Sequence, residues 1–223
     1  MLFCAGRGTR MGPLTSIMPK PMIKVRERPL VDYALDIVAD VPKKIANTHY
    51  LPDELETHLA EHGVQVVRES ILLETGGGLK NAARLISGDT CFTLNTDTVW
   101  IGGTPVETLC AQWNPSIMDA LLLTVPSENT RGHNGTGDFA LDDNGRLARG
   151  GDFVYTGLQI TKLSAVTRVP DTAFSMNKAW NAIHTDGRLY GAVFDGIWCD
   201  VGSPEGIARA EEELEEAAYV SAK

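Results

Sequence analysis

Cysteine is sparse, with four in 223 residues, at positions 4, 91, 110 and 199, and no C-x-x-C pair. That argues against a disulfide framework and a structural zinc site, and it points to a reducing cytoplasm. Long apolar runs are absent too. The longest, such as residues 120–125, fall far short of the ~20 residues that cross a bilayer. No basic stretch precedes an apolar core at the N-terminus, so no signal peptide is read there. Repeats, low-complexity tracts and long linkers are missing. Cations are in deficit, with 20 Lys and Arg against 29 Asp and Glu, a net charge of −9 that argues against non-specific nucleic-acid binding. No G-K-[ST] occurs, which excludes a Walker A loop, and the dinucleotide fingerprint G-x-G-x-x-G is missed by one residue.

What the chain does have is a 43% hydrophobic fraction in a length that suits one large domain. A chain of this size buries about 70% of its unfolded surface, so it needs no covalent staples. Short apolar segments at 1–5, 44–47, 64–67, 91–94 and 118–125 read as strands. Between them, 29–38, 52–62, 78–86 and 104–113 carry helical spacing. This alternation predicts a doubly wound α/β sheet. The second half is less regular, with strands expected at 139–141, 154–160 and 189–194 and helices at 175–184 and 204–219. Ser203 is placed to cap the last helix, with Pro204 at its first position. Residues 1–125 and 126–223 are read as two halves of the same sheet.

Charge is unevenly spread. The first 28 residues hold Arg7, Arg10, Lys20, Lys24, Arg26 and Arg28 against Glu27 alone, while the rest has 14 basic and 28 acidic residues. The first strand runs into Ala5-Gly6-Arg7-Gly8-Thr9-Arg10-Met11, followed by Pro13-Leu14-Thr15 and Pro19-Lys20-Pro21. Gly6 and Gly8 let main chain approach a phosphate, Arg10 can fork onto its oxygens, and two prolines stiffen the chain around Lys20. Two aspartates, Asp97 and Asp200, each follow an apolar segment. In an open α/β sheet that places them at the carboxyl edge of the strands, where ligands bind. Two such oxygen donors suit Mg²⁺. Glu74-Thr75-Gly76-Gly77-Gly78 precedes the expected helix at 78–86, with glycine backbone free to lie against a flat base.

This run of motifs resembles the sugar-1-phosphate nucleotidylyltransferases, over nearly the whole chain. The resemblance implies a GT-A-like, Rossmann-like three-layer sandwich with a mixed, mostly parallel central sheet. It implies catalytic roles for Arg10, Lys20 and Asp97, and Mg²⁺ held by Asp97 and Asp200. Nucleotide contacts would fall on Ala5, Gly6, Gly8, Thr9, Glu74, Gly76 and Gly77. The family usually has a few residues before the first strand, so the chain is expected to begin slightly late. Gly132-His133-Asn134, Gly137-Asp138-Phe139, Tyr155-Thr156-Gly157 and Trp198-Cys199-Asp200-Val201-Gly202 resemble the N-acetylmuramate α-1-phosphate uridylyltransferase type, active in bacterial cell-wall recycling. Asn134, Asp138, Thr156 and Gly157 are then the expected sugar contacts, and Arg149 or Arg28 the partner of the sugar's lactyl carboxylate.

The implied partners are a nucleoside triphosphate and a sugar 1-phosphate, with neither nucleic acid nor membrane. A monomer is the expected form and a small homo-oligomer the alternative. Rival readings keep the chemistry with GTP and mannose 1-phosphate, or with dTTP or UTP and glucose 1-phosphate. A sensor without turnover is a different class, and a dinucleotide-dependent oxidoreductase is more distant still. His49, His58, His62 and His184 show no ligand spacing in sequence and read as structural or surface residues.

Overall fold

Four parallel strands set the frame of the molecule: β1 (Leu2–Phe3), β4 (Ile45–Thr48), β5 (Gln65–Arg68) and β6 (Thr90–Asn95). The computed structural model describes residues 1–221, so the last two residues of the expected second half lie outside it. Between β1 and β4 come a short hairpin, β2 (Lys24–Val25) and β3 (Arg28–Pro29), and helix α1 (Leu30–Ile37). Helices α2 (Pro52–Glu61) and α3 (Glu74–Ala82) follow β4 and β5. After β6 come β7 (Thr98–Ile101), α4 (Pro105–Gln112), β8 (Ala120–Pro126) and β9 (Thr130–Arg131). The second half adds β10 (Phe139–Leu141), β11 (Leu147–Arg149), β12 (Phe153–Lys162), α5 (Leu163–Thr167), α6 (Met176–Thr185), β13 (Leu189–Val193), β14 (Ile197–Asp200) and α7 (Pro204–Ser221).

In the main sheet, β5, β4, β1 and β6 lie side by side and parallel. The long β12 runs antiparallel between β6 and β8, and β13 lies parallel to β8 at the far edge. The β10–β11 hairpin joins the start of β12 through Phe139 and Phe153. Only β11 and β12 run against the other strands, so the sheet is mixed and mostly parallel, as the resemblance implied. Because β12 sits inside the sheet begun by the first half, both halves share one core.

Helices cover both faces. Val31, Ala34 and Leu35 of α1, Leu55 and Leu59 of α2 and Leu109 of α4 pack on one side with Leu94, Leu121 and Leu158. Leu79 of α3, Val166 of α5 and Ala179, Trp180 and Ile183 of α6 pack on the other with Leu122. These are the apolar positions of the strands taken alternately, as expected for a sheet buried on both faces. A second, three-stranded sheet, β7-β14-β9, stands apart from the first and carries α7 against Val99, Cys199 and Val201. It was not foreseen from the sequence. The Ser203 cap is present, its Oγ accepting from the Gly206 N–H at 3.3 Å. Among the described residues no helix is long and apolar enough to cross a membrane, and all four cysteines are free.

Candidate active site

The chain leaves the main sheet after β1 through a buried, fully bonded junction. The Cys4 N–H donates to Asn47 Oδ1 at 3.0 Å, and the Thr96 hydroxyl donates to the Phe3 carbonyl at 2.9 Å. Neighbouring strands thus satisfy main-chain groups that the sheet ladder no longer reaches, as buried polar groups require. Asn47 is itself held by Glu69, Nδ2 donating to Oε1 at 2.8 Å, and the other Glu69 oxygen accepts from the Leu73 N–H at 3.0 Å. Nothing in the local pattern singled out this buried pair, which fixes the start of α3 relative to β4.

Beyond the junction the carboxyl ends of β1, β4 and β6 enclose a cavity of ≈ 340 Å³. Of the residues expected at the nucleotide or in catalysis, Ala5, Gly6, Lys20, Glu74 and Asp97 line it. Asn47, Leu72, Thr75, Asn95 and Ser175 also line it and were not foreseen. Glu74 holds a left-handed φ of 58° at the first position of α3. Such strain in a charged, exposed residue is a mark of sites where geometry is imposed by function.

Lys20 is nearly buried, yet its ammonium reaches Asp97 in an ion pair. Its stem is pressed against Gly8, where a Cβ would come within 2.9 Å of the Lys20 Cβ and 2.8 Å of Thr15. With φ at +62°, Gly8 meets both a conformational and a packing demand that no larger residue satisfies there. The Thr15 hydroxyl closes the loop by bonding the carbonyls of Gly8 and Gly12 at 3.1 and 3.2 Å. Thr9 and Arg10 open the exposed turn Thr9–Ser16.

The small sheet delivers the second aspartate. β14 pairs antiparallel with β7 so that Asp200 faces Thr98, and the Val201 N–H donates to the Asp97 carbonyl at 2.9 Å. Arg10 lies 3.6 Å from Asp200, its guanidinium folded over Gly202. The result is two carboxylates flanked by two cations at the cavity edge. Burial, followed by the negative charge of Asp97, pushes the Asp200 carboxyl above the ordinary carboxylate range, while Arg10 and Lys20 pull the other way. Such a diacid fits a hard divalent cation, which needs oxygen donors and relieves their repulsion.

The same observation predicts a stability effect. Asp200→Asn removes a charge that the fold holds at a cost, and the Arg10 pair it sacrifices is exposed and weak. In metal-free protein it is expected to raise Tm. A carboxyl with a raised folded pKa disfavours the native state as pH climbs through that value, so the variant should also lose that part of the pH slope. Thermal melts in EDTA across pH 4 to 7, a span of about three units around the carboxylate range, check both.

Four expectations are corrected by the packing. Gly76 and Gly77 do not lie in a loop ahead of the helix but are buried inside α3. Side-chain space at Gly76 is taken by the Phe174 ring, and at Gly77 by the Thr172 carbonyl. The glycines let α3 approach the 172–174 segment closely. Thr156 is fully buried, with its hydroxyl committed to the Leu123 carbonyl at 2.7 Å, so it has nothing to offer a sugar. Gly157 is buried at a bulge in β12, with φ at +89° against Asn95. Asp138 is exposed, but its Oδ2 accepts from the Tyr155 N–H at 2.9 Å, and Asn134 is exposed in the loop before it. The adjacent His133 has a buried Nε2 with no hydrogen-bond partner among the described residues.

With this geometry in view, the comparisons are specific. Residues 1–136 match the MobA-like NTP transferase domain. A protein of Caulobacter vibrioides named N-acetylmuramate alpha-1-phosphate uridylyltransferase is 35% identical over 97% of both chains. The chain belongs to the sugar-1-phosphate nucleotidyltransferases. A mannose-1-phosphate guanylyltransferase of Mycobacterium tuberculosis is 26% identical to this nucleotidyltransferase, which spans 64% of that protein's length. Its fold is shared with HddC from Yersinia pseudotuberculosis, at a TM-score of 0.77 and 20% identity over 96% of this chain and 97% of that one. A UDP-glucose pyrophosphorylase solved with UDP-glucose gives 0.74 and 16% over the same shares.

Proposed function

We propose that this nucleotidyltransferase transfers a uridylyl group from UTP to N-acetylmuramic acid α-1-phosphate, releasing pyrophosphate. A phosphate oxygen of the sugar attacks the α-phosphorus, and the bond from that phosphorus to the bridging oxygen of pyrophosphate breaks. Both substrates are anions, so the protein's task is to position them and offset their charge. The observation that carries this reading is the near-complete, two-way coverage of the Caulobacter uridylyltransferase at 35% identity. A Neisseria meningitidis protein of the same name agrees, at 28% over 91% of this chain and 92% of that one.

Lys20 stands in the cavity, where it would meet the α-phosphate once it exchanges Asp97 for substrate oxygens. Arg10, free to swing from Asp200, would take the leaving pyrophosphate. Asp97 and Asp200 would hold Mg²⁺, which supplies neutralisation of charge on the triphosphate when bound. The four free cysteines fit a reducing cytoplasm. In a bacterium such an enzyme would return a sugar recovered from peptidoglycan to its nucleotide-activated form.

For the acceptor, a second cavity of ≈ 220 Å³ adjoins the first and shares Phe3, Thr75, Asn95 and Ser175 with it. Tyr155, Met176, Asn177 and Trp180 complete its wall. Arg149 stacks over Phe139 at 4.8 Å and over Trp180 at 5.7 Å, bonding Asn181 at 3.0 Å. Desolvation there lowers the affinity of its guanidinium for a proton, while the negative charge of Asp138 pulls the other way without a direct ion pair among the described residues. Arg28, the other candidate, is spent on Asp36 at 2.6 Å and on the Tyr33 ring. Arg149 is therefore the favoured partner of the lactyl carboxylate.

The test is a matrix of triphosphates against sugar 1-phosphates, read by pyrophosphate release. UTP with the lactyl sugar should lead, and equal turnover with GTP and mannose 1-phosphate would refute the assignment. Arg149→Leu should raise KM for the lactyl sugar at least about tenfold, as expected for a charge-assisted hydrogen bond. KM for N-acetylglucosamine 1-phosphate, which lacks the carboxylate, should stay unchanged.

A further inference from the structure

His58 and His62 stand one turn apart at the end of α2, with ring centroids 4.5 Å apart. Asp32 reaches them from α1, its Oδ1 2.5 Å from His58 Nε2. None of the three lines the cavities of the active site. Each offers one ligand atom, and these atoms all lie within 4.8 Å of one another. His62 Nδ1 lies 2.9 Å from the His58 carbonyl. A carbonyl only accepts, so Nδ1 carries the proton and the lone pair of His62 rests on Nε2, free for a ligand. This is the arrangement by which a second contact orients a metal-binding imidazole. We infer that Asp32, His58 and His62 form a binding site for a divalent transition metal of the Zn²⁺ type, separate from the catalytic diacid.

The donor set decides the metal. Two imidazoles and one carboxylate suit Zn²⁺ and its neighbours, while Mg²⁺ asks for oxygen alone. Ligand atoms about 2.1 Å from a tetrahedral zinc stand roughly 3.4 Å apart. The direct His58–Asp32 hydrogen bond would open by about 1 Å, and the longer separations would close, through side-chain rotation alone. Asp32 and His58 are largely buried by side chain while His62 is exposed, so a fourth position stays open to water. The metal would replace the hydrogen bond as the link between α1 and α2. The spacing in α2 alone does not reveal the site, because the third ligand arrives from another helix.

The experiment uses the full chain, stripped with chelator and returned to saturating Mg²⁺, titrated with Zn²⁺ by calorimetry and followed by thermal melting. One equivalent should bind and raise Tm, reversibly with EDTA. His62→Ala, at an exposed position, should weaken binding at least about tenfold and remove the Tm rise. Asp97→Asn should leave both intact. Equal Zn²⁺ affinity in His62→Ala, loss of binding in Asp97→Asn, or no saturable binding up to ~1 mM Zn²⁺ would each overturn the site.

Discussion

Asp97→Asn is expected to lower kcat/KM by about 10³-fold, close to 4 kcal/mol of barrier, with the fold intact. The substitution keeps the shape of a half-exposed side chain at the end of β6 and removes one negative charge from the pair. Lys20 then loses its counter-ion, and Asp200 is left as the one carboxylate of the pair. EDTA should abolish turnover of the unaltered enzyme, and excess Mg²⁺ should restore part of the activity of the variant. Combining Asp97→Asn with Asp200→Asn should add little, because groups that act as a unit are not additive. Steady-state pyrophosphate release checks all four outcomes. Wild-type rates in Asp97→Asn, or turnover indifferent to EDTA, would remove the diacid from the chemistry.

Lys20→Met should cost on the order of 10²-fold in kcat, by analogy with losing one preorganised donor to a developing charge. Methionine keeps most of the apolar stem that packs on Gly8 and Thr15, so the effect isolates the ammonium. The loss should appear mainly in kcat if the ammonium acts on the transition state, and in KM if it only gathers triphosphate. Because Lys20 and Asp97 form an ion pair, their double variant should fall short of the summed penalties. Both kcat and KM within about twofold of wild type would assign Lys20 to structure alone.

The parallel frame was legible because its strands are buried on both faces and read as short apolar runs closed by glycine or proline. Residues 45–48 and 120–126 are buried in this way, whereas 65–68 forms the half-exposed edge strand. The small sheet was not, since it joins the four residues of β7 to β9 and to β14, some hundred positions later. No local period reports such a pairing. The start of α3 was misplaced for a different reason. Three successive glycines weaken a helix by intrinsic preference, and only the crowding by Phe174, Thr172, Asn47 and Glu69 explains them. That Lys20 and Asp97 would come together was readable from motif and strand position, whereas Asp200 was expected at the edge of the main sheet and stands on the small one. Thr156 and Gly157 were misjudged because burial, which decides whether a polar group is free, is a property of the assembled sheet.

The 2.9 Å hydrogen bond from Val201 to the Asp97 carbonyl has a mechanical meaning. It makes the spacing of the two carboxylates a property of the main chain, with side-chain torsions contributing only the fine adjustment. Like charges on flexible stems relax by drifting apart, whereas these are tied at their bases, with Lys20 and Arg10 beside them. Little reorganisation then remains to be done when substrate enters. An insertion or deletion between β7 and β14 that shifts the ladder by one residue would turn Asp200 to the opposite face of its strand. The spacing of the two aspartates is therefore more vulnerable to a slip of register than to most single substitutions around it.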